Sequence, residues 1–367
     1  METLDPDRPV RVALIGFGFV CKTFHLPLIT ASEGYEIRVV ASSRPEAVHE
    51  SLPSALVIAD AAEAVAHPEI DLVVIGSPNE THAPLAQAAL AAGKHVVVDK
   101  PFTVTLAEAR HLADCAERSG RVLSVFQNRR WDSDFLTVKA ALDDGMLGQL
   151  ALFESRIDRY RPTVRDRWRE DGRPGSGLLA DLGPHLIDQA LVLFGLPDCV
   201  EAVVLRQRPG ALSDDFFRVT LHYGAQMVVL QAGSLVSGGS PRFALHGEAA
   251  SLIKTKADIQ EDQLRAGVMP GSPGWGHDPD DAWLHLGASG ETRRVAAARG
   301  DQRGYYAALL KALRGSGANP VPPEQGATVM AIIEAARRSE AEGRRVGPEL
   351  TAAERAAWDQ AAASVAP

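Results

Sequence analysis

The chain has 367 residues and a formal net charge of −9 at pH 7. This length exceeds one typical domain and favours two, while the acidic charge argues against a nucleic-acid or anionic-membrane partner. Cys21, Cys115 and Cys199 are scattered and form no zinc-binding pattern. We therefore expect no metal and a reducing, cytoplasmic setting, and we expect neither a signal peptide nor a membrane span.

The first third of the chain alternates strand and helix patterns. Strands are predicted at 10–15, 35–41, 55–58, 70–76, 94–98 and 121–126, and helices at 81–92 and 105–119. Thr105 and Glu108 form a capping box ahead of the second helix. Near-continuous apolar strands between helices predict a parallel sheet covered on both faces. Residues 1–127 are therefore predicted to form a Rossmann dinucleotide-binding domain.

A glycine turn follows the first strand. Glycines at such a turn let the backbone approach a pyrophosphate, and the next helix offers free N–H groups to it. The third glycine of the usual GxGxxG pattern is replaced by the small residue Cys21. The cofactor contacts predicted here are Gly16, Phe17, Gly18, Phe19 and Val20.

The end of the second strand indicates which dinucleotide is bound. NAD-preferring folds place Asp or Glu there, on the ribose 2′-hydroxyl, whereas this chain has Ser42, Ser43 and Arg44. Two hydroxyls and a guanidinium suit a 2′-phosphate. We predict NADP as cofactor, with NAD possible. The alternative is a solvated surface arginine at the start of a helix.

The pattern changes after Gln127. A helix at 134–143 precedes alternating segments at 149–160, 200–208, 215–223 and 226–234, which predict a mostly antiparallel sheet with one open face. The fold class is thus α/β plus α+β. Residues 128–350 are predicted to bind substrate and to form a homodimer or homotetramer through that face. A late helix at 324–342 precedes a C-terminal helical extension, 351–367, capped by Thr351 and Glu354.

Two short motifs carry residues suited to proton transfer. Lys100, in Asp99-Lys100-Pro101, ends an apolar strand, where open α/β sheets bind ligands. Asp181 and His185 are spaced i, i+4, so a helix places them on one side. Pro184 is expected in the first turn of that helix. The alternatives are a surface lysine, a capping aspartate and a packed histidine.

The order GFG…SSR…DKP…DLGPH resembles the glucose–fructose oxidoreductase, inositol 2-dehydrogenase and rhizopine-catabolism (Gfo/Idh/MocA) family. Longer strings such as RIDRYRPTVRDRWRE and QEDQLRAG resemble its NADP-dependent scyllo-inositol 2-dehydrogenase branch. The resemblance implies hydride transfer between a nicotinamide and a secondary hydroxyl or ketone of a polyol or sugar. It also implies that Lys100, Asp181 and His185 form the catalytic set, although Asp99 replaces the commoner Glu. The alternatives are a non-catalytic NADP(H)-sensing protein and a dehydrogenase of a different sugar derivative.

Further residues are expected near the ligands because they follow strands or lie in long loops. Those assigned to the cofactor are Ser77, Pro78, Asn79, His82, Asp99, Lys100 and Asn128. Those assigned to the substrate, with domain packing or a subunit contact as the alternative, are Arg129, Trp131, Tyr160, Arg161 and Trp168. His25 is expected to be structural, and Tyr305 and Tyr306 to lie in the core or an interface.

Overall fold

The structure, a computed structural model, describes residues 4–363. The chain forms two compact units. The first contains the residues up to Asn128 together with Gln260–Trp275 and Asp301–Ala327. The second contains Arg129–Ile259, Gly276–Gly300 and the residues from Thr328 onward.

The strands and helices follow in chain order. The strands are β1 (Val10–Ile15), β2 (Tyr35–Ala41), β3 (Leu56–Ile58), β4 (Leu72–Ile75), β5 (His95–Val98), β6 (Leu123–Val125), β7 (Leu150–Arg156), β8 (Cys199–Leu205), β9 (Phe216–Tyr223), β10 (Gln226–Gly233), β11 (Phe243–Gly247), β12 (Ala250–Lys254), β13 (Ala282–Leu286) and β14 (Thr292–Val295). The helices are α1 (Leu26–Thr30), α2 (Pro45–His49), α3 (Ala61–Val65), α4 (His82–Ala91), α5 (Leu106–Ser119), α6 (Ser133–Asp143), α7 (Leu178–Phe194), α8 (Gln260–Arg265), α9 (Arg303–Leu313), α10 (Pro323–Glu342) and α11 (Ala352–Ala363). None of these described helices is long and apolar enough to cross a membrane.

The first unit contains a parallel sheet in the order β3-β2-β1-β4-β5-β6. This order is that of doubly wound dinucleotide-binding folds, and it confirms the predicted Rossmann sheet. Every residue of β4 and β5 is buried, as the continuous apolar runs predicted. All six strands point the same way, so the turns after β1, β2, β4 and β5 emerge at one edge of the sheet.

The predicted capping box at the start of α5 is present. The Thr105 hydroxyl accepts a hydrogen bond from the Glu108 N–H at 3.2 Å, and the Glu108 carboxylate accepts one from the Thr105 N–H at 2.9 Å. The helix ends at Gly120, whose φ of +62° is the left-handed conformation that favours glycine. Local sequence therefore fixes both ends of this helix.

The second unit contains an eight-stranded sheet in the order β14-β13-β12-β11-β7-β10-β9-β8. Only the pairing of β10 with β7 is parallel, which confirms the mostly antiparallel prediction. One face buries residues such as Phe153, Phe217 and Leu245, and α7 packs against β9 and β10. Strands β11 to β14 were not predicted, because they are short and their alternation is weak.

The opposite face of this sheet is open in the single chain, as predicted. Pairing aligns Glu154 of β7 with Val229 of β10 and Ala244 of β11, and continues through Ile253 to Trp283. Trp283, Val203 and Met227 are 46%, 43% and 42% exposed. Charged side chains such as those of the Glu154–Arg156 pair lie among them. The face is therefore mixed in polarity rather than uniformly apolar.

Two predicted helices near the C-terminus are also present. The late helix predicted at 324–342 is α10, and the extension begins at the predicted caps. Thr351 donates its N–H to the Glu354 carboxylate at 2.8 Å, and Glu354 donates its N–H to the Thr351 hydroxyl at 3.2 Å. The extension therefore forms a capped helix, α11.

Candidate functional site

The glycine turn after β1 has the shape that a dinucleotide requires. Gly16 adopts a φ of +93°, and a Cβ there would lie 3.3 Å from Ser77 Cα. Apart from its two chain neighbours, no residue that the structure describes has an atom within 4 Å of a Cβ placed on Gly18, so the space beside this backbone is open. A side chain at Gly18 would occupy the space through which a pyrophosphate approaches. The turn therefore fits the predicted group.

Cys21, which stands where the pattern has a third glycine, is fully buried. A Cβ on Gly76, just after β4, would lie 2.5 Å from the Cys21 sulfur. Gly76 thus makes room for the larger residue at position 21. A glycine just after the neighbouring strand therefore preserves close packing between the segment that contains Cys21 and the sheet.

Arg44 lies against the glycine turn. Its Nη2 donates to the Phe17 carbonyl oxygen at 3.3 Å, and its backbone N–H donates to the Ser42 hydroxyl at 3.1 Å. Ser43 and Arg44 are exposed. The chain carries no carboxylate between Ala41 and Pro45. The end of β2 therefore presents hydroxyl and guanidinium groups beside the turn.

His82 joins two turns at the same edge of the sheet. Its ring is buried, with Nδ1 2.9 Å from the Pro101 carbonyl oxygen and Nε2 3.0 Å from the Ser77 carbonyl oxygen. Burial lowers the pKa of this imidazole, although the Asp99 charge opposes the shift. His82 therefore holds the Ser77–Asn79 turn to the turn that follows Lys100. Whether it also touches the cofactor stays a prediction.

Asp99 is a buried carboxylate next to Lys100. Burial acts to raise the pKa of Asp99, but the nearby His25 imidazole and the charges of Lys100 and His82 outweigh it and lower the pKa. His25 Nε2 lies 3.7 Å from Asp99 Oδ1, and its Nδ1 lies 2.7 Å from the Tyr306 hydroxyl. His25 and Tyr306 are fully buried, as is Tyr305. The structure places all three in the core. Lys100 is partly exposed, and the Lys100–Pro101 peptide bond is cis.

The helix that carries Asp181 and His185 begins earlier than predicted. The Leu178 N–H donates to the Asp214 carbonyl oxygen at 2.9 Å, and the Leu179 N–H donates to its carboxylate at 2.6 Å. The expectation that Pro184 lies in the first turn is wrong, because this cap starts α7 at Leu178 and leaves Pro184 inside the helix. Only glycine fits at position 177, where φ is +97° and a Cβ would lie 2.0 Å from Asp214 Oδ1.

Asp181 and His185 lie one helical turn apart on α7, as predicted. His185 is 4% exposed, whereas Asp181 is partly exposed in the first turn of the helix. Arg169 Nε lies 3.5 Å from the Asp181 carboxylate, and its guanidinium lies 4.2 Å from the Trp168 ring centroid. The structure therefore brings Trp168 close to the acidic end of the predicted catalytic pair.

The remaining predicted substrate residues differ in their surroundings. Tyr160 is 60% exposed. Arg161 is partly buried, and burial together with the charges of Arg165 and Arg167 lowers its pKa. Trp131 is partly exposed, whereas Asn128 is buried and the Arg129 guanidinium donates to the buried Asp132 carboxylate at 3.0 Å.

Sequence reasoning missed three residues that hold this region together. Arg130 forms two hydrogen bonds to Asp188, at 2.8 and 2.6 Å. The Gln189 amide donates to the Arg129 carbonyl oxygen at 2.9 Å. Asp188 stands at i+3 from His185 and i+7 from Asp181, on the same helical face. That spacing is the sequence signal from which Asp188 could have been predicted to lie near the site.

The chain combines a Rossmann sheet that carries an open glycine turn with a second unit that contains an open-faced sheet. This architecture is that of a class of two-domain dinucleotide-binding oxidoreductases. The chain belongs to the Gfo/Idh/MocA oxidoreductase family. Residues 10–127 match the family's NAD-binding Rossmann fold, and residues 139–347 match its C-terminal alpha/beta domain.

Individual relatives match over most of the chain. The uncharacterised oxidoreductase YdgJ of Escherichia coli K12 is 49% identical over 89% of this chain and 94% of its own length. The scyllo-inositol 2-dehydrogenase (NADP⁺) IolW of Bacillus subtilis strain 168 is 39% identical over 92% and 95%. A crystal structure of an oxidoreductase from Klebsiella pneumoniae superposes with a TM-score of 0.90, at 49% identity over 96% and 99% of the two chains. These similarities confirm an oxidoreductase with a nicotinamide cofactor and a small-molecule substrate.

Proposed function

We propose that the protein is an NADP-dependent dehydrogenase or reductase acting on a secondary hydroxyl or ketone of a polyol or sugar. The observation that carries this proposal is the face of α7, where Asp181 and His185 lie one turn apart on a helix whose first turn is capped by Asp214. The Bacillus relative, a scyllo-inositol 2-dehydrogenase, makes scyllo-inositol the first substrate to test.

The chain's own groups are proposed to hold the cofactor as follows. Backbone at Gly16–Val20 binds the pyrophosphate, and Ser42, Ser43 and Arg44 bind the 2′-phosphate through neutral and charged donors. Arg44 is already placed beside the turn by its bond to Phe17. When bound, the nicotinamide supplies the hydride acceptor or donor.

Three side chains are proposed to act on the substrate. The Lys100 ammonium donates a hydrogen bond to the reacting oxygen and eases the loss of its proton. His185 accepts that proton, because an imidazole exchanges protons near neutral pH. Asp181 orients the hydroxyl, and Arg169 beside it limits the positions that its carboxylate can take.

We also propose that the protein works in the cytoplasm as a homodimer or homotetramer assembled through the open sheet face. The exposed Val203, Met227 and Trp283 support this assembly, since apolar groups on an open sheet face are commonly covered by a partner. Light scattering tests it: a mass that is a multiple of 39.2 kDa is expected at micromolar concentration. A monomer mass would contradict it.

A substrate panel tests the proposed activity. Inositol isomers, hexoses and their derivatives are each incubated with the protein and NADP⁺, and separately with NAD⁺, while nicotinamide absorbance is followed. Turnover of at least one polyol or sugar, with NADP⁺ preferred, is expected. Tight NADP(H) binding without turnover of any compound would instead indicate a sensing protein.

A further inference from the structure

The C-terminal helix α11 lies beyond the part of the chain that matches the family's C-terminal domain, which ends at residue 347. It packs against α7, the helix that carries Asp181 and His185. Its inward side chains include Glu354 and Trp358, spaced i, i+4 and each 2% exposed. A helix outside the matched family region therefore buries a large aromatic side chain within the second unit.

Trp358 lies against the guanidinium of Arg130, which is paired with Asp188. The Arg130 guanidinium lies 5.6 Å from the Trp358 ring centroid and forms two hydrogen bonds to the Asp188 carboxylate. The side chains of Arg130 and Asp188 are 13% and 2% exposed. An aromatic face stabilises a guanidinium and excludes water from it, which strengthens the charged hydrogen bonds beneath.

This ion pair joins two segments of the second unit that carry candidate site residues, namely α7 and Arg129–Asp132. Asp188 follows His185 by one turn on α7. Arg130 lies in the segment Arg129–Asp132, which also contains the predicted substrate residue Trp131. The Gln189 amide adds a second connection, since it donates to the Arg129 carbonyl oxygen and accepts from Arg242 at 2.7 Å. The position of His185 relative to this segment is therefore fixed by charged and amide contacts.

We propose that α11 is a positioning element of the active site, in which Trp358 holds Arg130 on Asp188 and thereby sets His185 against the segment Arg129–Asp132. The inference rests on the proposed function, because it takes His185 as the group that acts on substrate. A helix that only added buried area would affect the stability of the protein, and its substitution would leave kcat/KM of the folded protein unchanged.

Trp358→Leu tests this inference in the full-length protein, because it keeps an apolar side chain but removes the aromatic face. The value of kcat/KM for the hydroxyl substrate is expected to fall about tenfold, since small displacements of a reacting group are costly. The dissociation constant for NADPH should stay within about twofold. Trp358→Phe should recover most of the activity, and Arg355→Ala, an exposed change on the same helix, should have none of these effects.

Arg130→Lys provides a second route, because it keeps the charge and loses the forked contact with Asp188. It should reproduce the loss of kcat/KM, and its combination with Trp358→Leu should be no worse than the larger single effect. Additive losses, or normal kcat/KM in either single variant, would overturn the inference.

A measurement without turnover separates this inference from the proposed function. The protein is labelled with ¹³C in histidine, and the His185 signal is identified by its loss in His185→Gln. That signal should shift in Trp358→Leu and stay in place in Arg355→Ala. An unmoved signal overturns the positioning role, whereas a moved signal in a protein that oxidises no polyol or sugar overturns the activity alone.

Discussion

The dinucleotide edge of the first unit and the face of α7 in the second are built in different ways. At the dinucleotide edge, the main features come from residues close in sequence to the strand they follow. Gly16, for example, follows β1 directly, and Ser42 and Arg44 follow β2. On α7, by contrast, the first turn is capped by Asp214, and Asp188, further along the same face, is paired with Arg130.

This difference indicates which substitutions should alter each site. The chemistry at a strand end is set by a few neighbouring residues, so we expect a single substitution after β2 to alter the proposed cofactor preference. The α7 face depends on residues from several distant parts of the chain, among them Arg130, Arg169 and Asp214. Its geometry should therefore respond to substitutions far from His185, such as those at Trp358.

The largest expected effect comes from removing the proposed proton-transfer groups. Lys100→Ala and His185→Ala should each lower turnover by ~10²-fold or more, because each removes a positioned acid or base. Cofactor binding, measured by NADPH fluorescence, should be largely kept. His111→Ala, an exposed change on α5, serves as the histidine control. Near-normal turnover in either variant would remove that residue from the mechanism.

A smaller effect is expected at the end of β2. Arg44→Ala should weaken NADP binding by about tenfold or more, since a charged hydrogen bond to phosphate is lost, and should change NAD binding little. Titration of both reduced cofactors measures this. Arg38→Ala, which removes an exposed arginine paired with Glu36 on the same strand, is the matched control. Equal Michaelis constants for NADP and NAD in the unmutated protein would contradict the preference.

The smallest expected effect lies at the opposite end of β4, far from the ligand edge of the sheet. Burial acts to raise the pKa of Asp71, but hydrogen bonds from Arg8 and Arg11 lower it well below its usual range. This carboxylate therefore stabilises the fold above its unfolded pKa of about 4, and the contribution is lost as the pH falls below that value.

Asp71→Asn tests that contribution. The free energy of unfolding at neutral pH should fall by ~1–2 kcal/mol, and its decrease between about pH 4 and pH 2 should become shallower. Denaturant unfolding at several pH values measures both. Kinetic constants for substrate should not change. An altered cofactor preference in this variant would break the separation between the two ends of the sheet.

Much of the first unit could be predicted because its signals are local. Apolar runs predicted the strands, and the spacing of Thr105 and Glu108 predicted the start of α5. The start of α7 could not be predicted, because its cap, Asp214, lies far along the chain. The same holds for Arg130 with Asp188, and for Gln260–Trp275 and Asp301–Ala327, which belong to the first unit although the second begins at Arg129.

The most direct test of the proposed hydride transfer follows the hydrogen itself. The protein is given NADP⁺ and a polyol substrate from the panel, deuterated at its ring carbons, and the NADPH formed is examined by mass spectrometry. We expect one deuterium in the NADPH from the unmutated protein and far less product from His185→Ala. No deuterated NADPH from any deuterated polyol or sugar, despite tight cofactor binding, would contradict the proposed enzyme.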